Sequence, residues 1–180
     1  MRYASIRELD ISNGKQIGIS LFVQGCSFHC EGCFNKETWD FDGGEEWNES
    51  VEESFLKLAD RPFIKRISIL GGEPLHPNNI YTVFELCQKI KNTYPDKKIW
   101  IYTGFKFEHF WIPTGYWTTS DVDLTRDVGN LLLKYVDVVV DGQYVHGQRD
   151  VSLAFRGSSN QRLIDVQKTL QKQEIVLYEE

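Results

Sequence analysis

Three of the four cysteines in this chain lie within one eight-residue segment, Cys26 to Cys33. Their spacing is Cys-x3-Cys-x2-Cys, with thiols at Cys26, Cys30 and Cys33 and no obvious fourth ligand beside them. Cysteine thiolates hold iron–sulfur clusters, and three thiolates suit a four-iron, four-sulfur cluster that keeps one iron open for another molecule. The spacing therefore predicts a [4Fe-4S] cluster at these three residues, the loop cysteines, with an open iron that takes part in chemistry.

Two other interpretations of the loop cysteines stay open at this point. A zinc site would need His29 as its fourth ligand, but His29 and Cys30 are adjacent in the chain and would struggle to bind one tetrahedral ion together. A structural disulfide would leave one of the three cysteines unpaired, and nothing else in the sequence indicates a secreted protein. The iron–sulfur interpretation is therefore favoured over both.

The fourth cysteine, Cys87, stands apart from this segment. It recurs with Ile80, Val83, Phe84 and Ile90 at helical spacing, which predicts an apolar helix face turned toward a core. A buried thiol of that kind packs as a small apolar side chain. We assign it no role in the chemistry.

The composition is that of an ordinary globular protein. The chain has 180 residues, of which 41% are hydrophobic and 26% are charged, enough for a single domain over residues 1–180 with a substantial core. A formal net charge of −6 argues against a nucleic-acid partner, because binding phosphates requires a basic surface. No apolar segment has the length that a signal peptide or a membrane span needs, so we expect a cytoplasmic protein without a membrane partner.

Apolar runs and helical periodicity alternate along the chain. The runs that predict strands are residues 16–23, 66–70, 98–102, 135–140 and 174–178. Three helices are predicted. The first begins at a capping box formed by Ser50 and Glu53, the second covers residues 79–91, and the third lies around residues 128–135. Residues 107–126 are irregular and have the character of an insertion, although Pro113, Thr114 and Gly115 also permit a simple surface turn. The alternation predicts an α/β fold with a parallel sheet and right-handed crossovers.

Four distinctive segments each follow a predicted strand: the cysteine loop (residues 26–33), Gly71-Gly72-Glu73, Thr103 and Asp141. Ligands of parallel α/β folds collect at the carboxyl ends of the strands, so we expect these segments to form one site. The two glycines would let the backbone approach a ligand closely, and Glu73 would offer negative charge to an ammonium group.

The order of these motifs resembles a known superfamily. A Cys-x3-Cys-x2-Cys segment followed by Gly71-Gly72-Glu73 is similar to the radical S-adenosylmethionine enzymes. Residues 22–26, 33–39, 71–77 and 156–162 more narrowly resemble the family of activating proteins of anaerobic (class III) ribonucleoside-triphosphate reductase. The resemblance covers most of the chain except residues 107–126.

The resemblance implies a fold and a reaction. The fold would be a single-domain partial (β/α) barrel with the cluster at the C-terminal ends of the parallel strands. The open iron would bind the amino and carboxylate groups of S-adenosylmethionine, and an electron from the cluster would cleave this cofactor to a 5′-deoxyadenosyl radical. That radical would take a hydrogen atom from a glycine of the reductase large subunit. A donor such as flavodoxin or ferredoxin would supply the electron.

The resemblance also implies roles for particular residues. Cys26, Cys30 and Cys33 would hold the cluster, and Gly71, Gly72 and Glu73 would receive the cofactor's ammonium group. Many members of the superfamily carry an aromatic residue directly before the third cysteine, where this chain has Gly32 and places Phe34 after that cysteine instead. We therefore expect Gly32 and Phe34 beside the cofactor, with Phe34 stacking on the adenine.

Four further residues have two interpretations each. Thr103 and Asp141 would contact polar groups of the cofactor, directly or through a cation, or they would only hydrogen-bond the backbone at their strand ends. Arg156 and Arg162 would bind the cofactor's carboxylate or the partner surface. Two alternatives to the function also remain: activation of another glycyl-radical enzyme such as pyruvate formate-lyase, and a non-catalytic, metal-stabilised interaction module.

Overall fold

A computed structural model describes residues 1–111 and 124–179 of the chain. Within them are seven strands: β1 (Arg2–Asp10), β2 (Gly18–Val23), β3 (Glu45–Glu46), β4 (Arg66–Gly71), β5 (Lys98–Tyr102), β6 (Val138–Asp141) and β7 (Arg162–Asp165). They form one sheet with the spatial order β3-β1-β2-β4-β5-β6-β7. The predicted α/β class is therefore confirmed.

The four central strands, β2, β4, β5 and β6, are parallel to one another. The sequence predicted all four, with small differences at their ends: β2 begins at Gly18 and β6 begins at Val138, because Leu133–Tyr135 form a turn of 3-10 helix. The side chains of β2, β4 and β6 are buried along almost their whole length, and those of Ile99, Trp100 and Ile101 are buried in the middle of β5, as a parallel sheet with covered faces requires.

The outer strands are antiparallel, which the sequence did not predict. β1 pairs with β2 and β3, and β7 pairs with β6. The sequence did not predict β1 because most of its side chains are exposed or half-buried, so it has no continuous apolar run. The strand predicted at residues 174–178 is wrong, since only an isolated bridge from Leu177 to Ile164 forms there.

Within the described residues, four α-helices accompany the sheet: α1 (Glu49–Asp60), α2 (Ile80–Thr93), α3 (Leu124–Leu132) and α4 (Val166–Lys172). The predicted capping box at Ser50 and Glu53 is wrong, because α1 begins earlier. Asn48 is the N-cap, and its side-chain oxygen accepts a hydrogen bond of 3.1 Å from the backbone N–H of Val51. Asparagine is as good an N-cap as serine, so the helix begins two residues before the predicted start.

Alternate residues of the strands point to opposite faces of the sheet. On one face Ile67 and Ile69 belong to the main core, together with Phe55 of α1 and the fully buried Cys87 of α2. Cys87 therefore has the core position that the sequence predicted. On the other face a smaller cluster surrounds Trp100.

A buried ion pair anchors the turn after β1 to this second face. Asp10 and Arg66 are both fully buried, and a carboxylate oxygen of Asp10 lies 3.1 Å from Nη2 of Arg66. Burial raises the pKa of Asp10, but hydrogen bonds from Asn13, Ser12 and Arg66 outweigh it and hold that pKa below its usual value. The guanidinium also donates to the backbone oxygens of Asp10 and Asn13, which ties this turn to β4.

The predicted insertion at residues 107–126 lies partly outside the described residues. Phe107–His109 form a short 3-10 helix, and the side chains of Phe107 and Phe110 are buried in the main core. Among the helices of the described segments, none is both long and apolar enough to cross a membrane.

Candidate active site

The carboxyl ends of the central strands border one cavity of about 480 Å³. The cavity brings together most of the residues that the sequence singled out: Cys26, Cys30, Cys33, Phe34, Gly71, Gly72, Glu73, Thr103 and Arg156. Gly32, Asp141 and Arg162 are not among its lining residues. Segments that are far apart in the chain therefore meet at one edge of the sheet, as expected for a ligand site in a parallel α/β fold.

The cysteine loop leaves the end of β2 and is held by the segment that follows it. Gly25 has a φ of +92°, and its N–H donates to the backbone oxygen of Thr38 at 2.8 Å. The N–H of Cys26 donates to the backbone oxygen of Trp39 at 3.1 Å. The buried side-chain amide of Gln24 donates to two further backbone oxygens of this segment, at 3.0 and 2.7 Å. The start of the loop is thus held by hydrogen bonds to main-chain oxygens of residues 37–40.

The three loop cysteines are all partly buried on the wall of the cavity. Burial raises the pKa of Cys26 and of Cys30, so their thiolates need nearby positive charge to form. The backbone N–H of Asn35 lies 3.4 Å from the sulfur of Cys33 and donates to it. Iron supplies the required positive charge, so three thiols on one cavity wall fit an iron–sulfur cluster.

The arrangement is different from that of a single-ion site. Within residues 1–111 and 124–179, no three His, Cys, Asp or Glu side chains are grouped to hold one metal ion. The ring of His29, the fourth ligand that a zinc site would need, packs against Trp39 with their centroids 4.6 Å apart.

The two glycines at the end of β4 are required by the protein's own backbone. Gly71 has a φ of +104°, which is unfavourable for any residue with a side chain. A Cβ at Gly72 would lie 2.5 Å from the backbone oxygen of Gly25. The N–H groups of Gly72 and Glu73 donate to the backbone oxygens of Val23 and Gly25, at 2.9 and 2.8 Å. The glycines therefore let the end of β4 lie directly against the start of the cysteine loop.

Glu73 connects this strand end to the next one. Its side chain is 1% exposed, and its carboxylate accepts hydrogen bonds from the N–H of Leu75 (2.8 Å), the hydroxyl of Thr103 (2.8 Å) and the N–H of Gly104 (2.7 Å). Burial raises the pKa of Glu73 to about 7, although these three hydrogen bonds lower it. Direct contact between Glu73 and the cofactor's ammonium group stays a prediction, and so does direct contact between Thr103 and the cofactor.

Asp141 lies behind the cavity wall, in an ion-pair network. Its carboxylate is fully buried and accepts hydrogen bonds from the N–H of Phe107 and from Nε of Arg162, both at 2.9 Å. Arg162 also donates to both carboxylate oxygens of Glu108, at 3.0 and 2.8 Å. Hydrogen bonds to Asp141 and Glu108 raise the pKa of Arg162 above its usual value. These contacts are structural, so contact between Asp141 and the cofactor stays a prediction. Of the two arginines that the sequence singled out, Arg156 lines the cavity.

The segment after β6 contributes residues that the sequence did not single out for chemistry. Tyr144 lines the cavity, and its ring centroid lies 5.6 Å from that of Phe34. Gly32 has a φ of +70°, and a Cβ there would lie 2.4 Å from Nδ1 of His146. Gly32 therefore gives His146 room against the cysteine loop. This segment follows a strand, and ligands of parallel α/β folds collect at strand ends, but neither Tyr144 nor His146 belongs to a motif.

Comparisons with known proteins identify the family of the chain. Residues 12–164 match a family described as "4Fe-4S single cluster domain". Proteins named anaerobic ribonucleoside-triphosphate reductase-activating protein are similar over most of the chain. The relatives from Vibrio cholerae and Escherichia coli K12 are each 36% identical over 163 residues, which is 89% of this chain and 96% of theirs. The relative from Enterobacteria phage T4 is 34% identical over 164 residues, 91% of this chain and 93% of its own. The chain therefore belongs to the 4Fe-4S single cluster domain family and, within it, to the anaerobic ribonucleoside-triphosphate reductase-activating proteins.

Proposed function

We propose that this protein is an enzyme that activates anaerobic ribonucleoside-triphosphate reductase by generating a glycyl radical on its large subunit. The observation that carries the proposal is the cavity that brings the three loop cysteines together with the Gly-Gly-Glu strand end. The family membership supports it, because the relatives are named for activating this reductase. The finer fold that goes with this function is one radical S-adenosylmethionine domain over residues 1–180, with the sheet as part of a (β/α) barrel.

The loop cysteines would hold a [4Fe-4S] cluster, and the cavity beside them would hold S-adenosylmethionine. When bound, these two groups supply the one-electron cleavage of a carbon–sulfur bond and the removal of a hydrogen atom from the partner's glycine. Reduced flavodoxin or ferredoxin would provide the electron. The chain's own residues bind these groups, orient them and exclude water and competing hydrogen donors.

The lining residues suggest how the cofactor is oriented. The backbone at Gly71 and Gly72 lies at the cavity surface without side chains, and Glu73 behind it provides negative charge for the ammonium group. Arg156 lines the same cavity and would pair with the carboxylate. Phe34 lines the cavity beside the third cysteine and would stack on the adenine. Glu73, through Thr103 and Gly104, keeps the ends of β4 and β5 in register for this arrangement.

The test is an anaerobic reconstitution followed by activation. The protein is loaded with iron and sulfide, its cluster spectrum is recorded before and after addition of S-adenosylmethionine, and the mixture is reduced in the presence of anaerobic ribonucleotide reductase or of pyruvate formate-lyase. We expect a perturbed cluster spectrum, a glycyl doublet in electron paramagnetic resonance on the reductase only, and deoxynucleotide synthesis. A glycyl doublet only on the lyase would refute the proposal, and so would a cluster spectrum that does not change when S-adenosylmethionine is added.

A further inference from the structure

We infer that Asn79 is a positioning residue, which fixes the start of the cysteine loop against the strand end at residues 71–73. The inference rests on the proposed function and adds to it a residue outside the sequence motifs. Asn79 is absent from the described residues that line the cavity, so it acts through the backbone that it holds.

The side chain of Asn79 connects the two segments directly. Asn79 lies immediately before α2 and is 2% exposed. Its Nδ2 donates hydrogen bonds to the backbone oxygens of Gln24 and Glu73, both at 3.0 Å. An amide nitrogen carries two hydrogens, so both donors of this side chain are used. Gln24 is two residues before Cys26, and Glu73 ends the Gly-Gly-Glu motif, so one buried amide joins the two motifs.

The same side chain does not take the role that its position in the helix favours. Asparagine at an N-cap normally accepts a hydrogen bond from an N–H of the first helical turn, as Asn48 does for α1. The side chain of Asn79 makes no such bond, and its backbone is in the helical region, with φ −116° and ψ −36°. The N–H of Ile80 donates instead to the backbone oxygen of His76 at 2.9 Å. The helix therefore begins without help from this amide, which is committed to the strand ends.

The bond to Gln24 completes a row of hydrogen bonds directly before Cys26. The backbone oxygens of Val23 and Gly25 accept hydrogen bonds from N–H groups at the end of β4. The oxygen of Gln24, between them in the chain, accepts from Asn79. Three consecutive carbonyl groups are thus held, and the third donor comes from the start of a helix whose apolar face is packed in the main core.

This arrangement matters for the reaction because the cluster and the strand end must contact S-adenosylmethionine at the same time. The distance between the two segments decides whether both sets of contacts form. When groups must act together, a misplacement of about 1 Å can cost up to about 100-fold in rate. Asn79 holds this distance without touching the reacting groups, which is the function that we assign to it.

Two substitutions remove the amide, and a control leaves it in place. Asn79→Ser introduces a residue that is favoured at an N-cap, but its hydroxyl has one hydrogen and cannot donate to both oxygens. Asn79→Asp keeps the shape of the side chain and puts an oxygen where the donating nitrogen lies, facing two backbone oxygens. Asn78→Ser is the matched control, because it makes the same change one residue earlier, at an exposed side chain.

Four measurements separate positioning from structural support. Each protein is reconstituted with iron and sulfide without oxygen, and its bound iron and sulfide are determined. Thermal unfolding, followed by circular dichroism, reports stability. The affinity for S-adenosylmethionine is measured by equilibrium dialysis at equal cluster content. Electron paramagnetic resonance of the reduced cluster is recorded with and without S-adenosylmethionine.

We expect both Asn79 variants to assemble the cluster, because the hydrogen bonds from Gly25 and Cys26 to the backbone of Thr38 and Trp39 remain. Their affinity for S-adenosylmethionine should fall at least about tenfold, which is the effect of losing one hydrogen bond to a charged group. The change that S-adenosylmethionine causes in the cluster spectrum should also be smaller at the same cofactor concentration. Asn78→Ser should match the wild type in all four measurements.

A purely structural role would lower the Tm or the cluster content and leave the affinity of the loaded protein unchanged. Wild-type affinity in both Asn79 variants at equal cluster content would therefore overturn the inference, whatever their Tm. Equal weakening by Asn78→Ser would also overturn it, and so would a loss of cluster in Asn79→Ser as complete as in a variant of a loop cysteine. A wild-type cluster whose spectrum does not change with S-adenosylmethionine would instead overturn the proposed function.

Discussion

We expect Glu73→Gln to change the pH dependence of stability. Glutamine has nearly the same shape as glutamate, and its oxygen can still accept from Leu75 and Thr103. Its amide group would face the N–H of Gly104, which now donates to the carboxylate at 2.7 Å. Leaving that buried N–H without an acceptor costs about 1–3 kcal/mol at every pH.

The pH-dependent part comes from the titration of the wild-type carboxyl. Burial raises the pKa of Glu73 from 4.5 to about 7, so between these values the folded protein holds a proton that the unfolded chain has lost. Stability therefore falls as pH rises through this window and levels off above pH 7. A shift of this size corresponds to about 3 kcal/mol, of which about 2 kcal/mol is lost between pH 5.5 and 8.5. Glu73→Gln has no carboxyl to titrate and keeps this stability.

The assay is thermal unfolding of the anaerobically reconstituted proteins, followed by circular dichroism at pH 5.5 and 8.5 without S-adenosylmethionine. For a chain of this size, 2 kcal/mol corresponds to about 4–8 °C in Tm. The compared quantity is the Tm of Glu73→Gln minus the Tm of the wild type. We expect this difference to be larger at pH 8.5 than at pH 5.5 by that amount. Glu53→Gln, on the exposed surface of α1, should show no such change. A constant difference for Glu73→Gln would refute the reasoning.

Three further substitutions probe the cluster, the cofactor site and the core. Alanine at any of the loop cysteines should abolish cluster assembly, whereas Cys87→Ala should retain it. The Cys87 thiol is buried in the core, and burial raises its pKa to about 12. Bound iron and sulfide are measured, and equal losses in all four variants would contradict this. Gly72→Val should weaken both S-adenosylmethionine binding and cluster assembly, since its side chain would collide with the backbone of Gly25, which directly precedes Cys26; equilibrium dialysis and iron analysis that both match the wild type would remove this strand end from the site. Asp10→Asn should lower the free energy of unfolding by about 3–5 kcal/mol because it leaves Arg66 charged and unpaired in the core; denaturant unfolding that shows a loss under about 1 kcal/mol would contradict this.

The sequence by itself determined the central sheet and the principal motifs. β2, β4, β5 and β6 were predictable because strands buried on both faces are continuous apolar runs. The loop cysteines were predictable because thiols three to four residues apart in one loop can bind a common cluster whatever the rest of the fold does. The shared edge followed from topology, since parallel strands all end on the same side of a sheet.

Only the tertiary structure decided how these pieces contact one another. Gly72 lies against Gly25, Glu73 accepts a hydrogen bond from Thr103, and Asp141 pairs with Arg162 behind the cavity wall. Each contact joins residues at least 20 positions apart, so its geometry depends on sheet register and loop paths that no local pattern encodes. The antiparallel strand β1 has the same origin: most of its side chains are too exposed to carry a periodic signal, and its place in the sheet comes from the neighbours that the fold puts beside it.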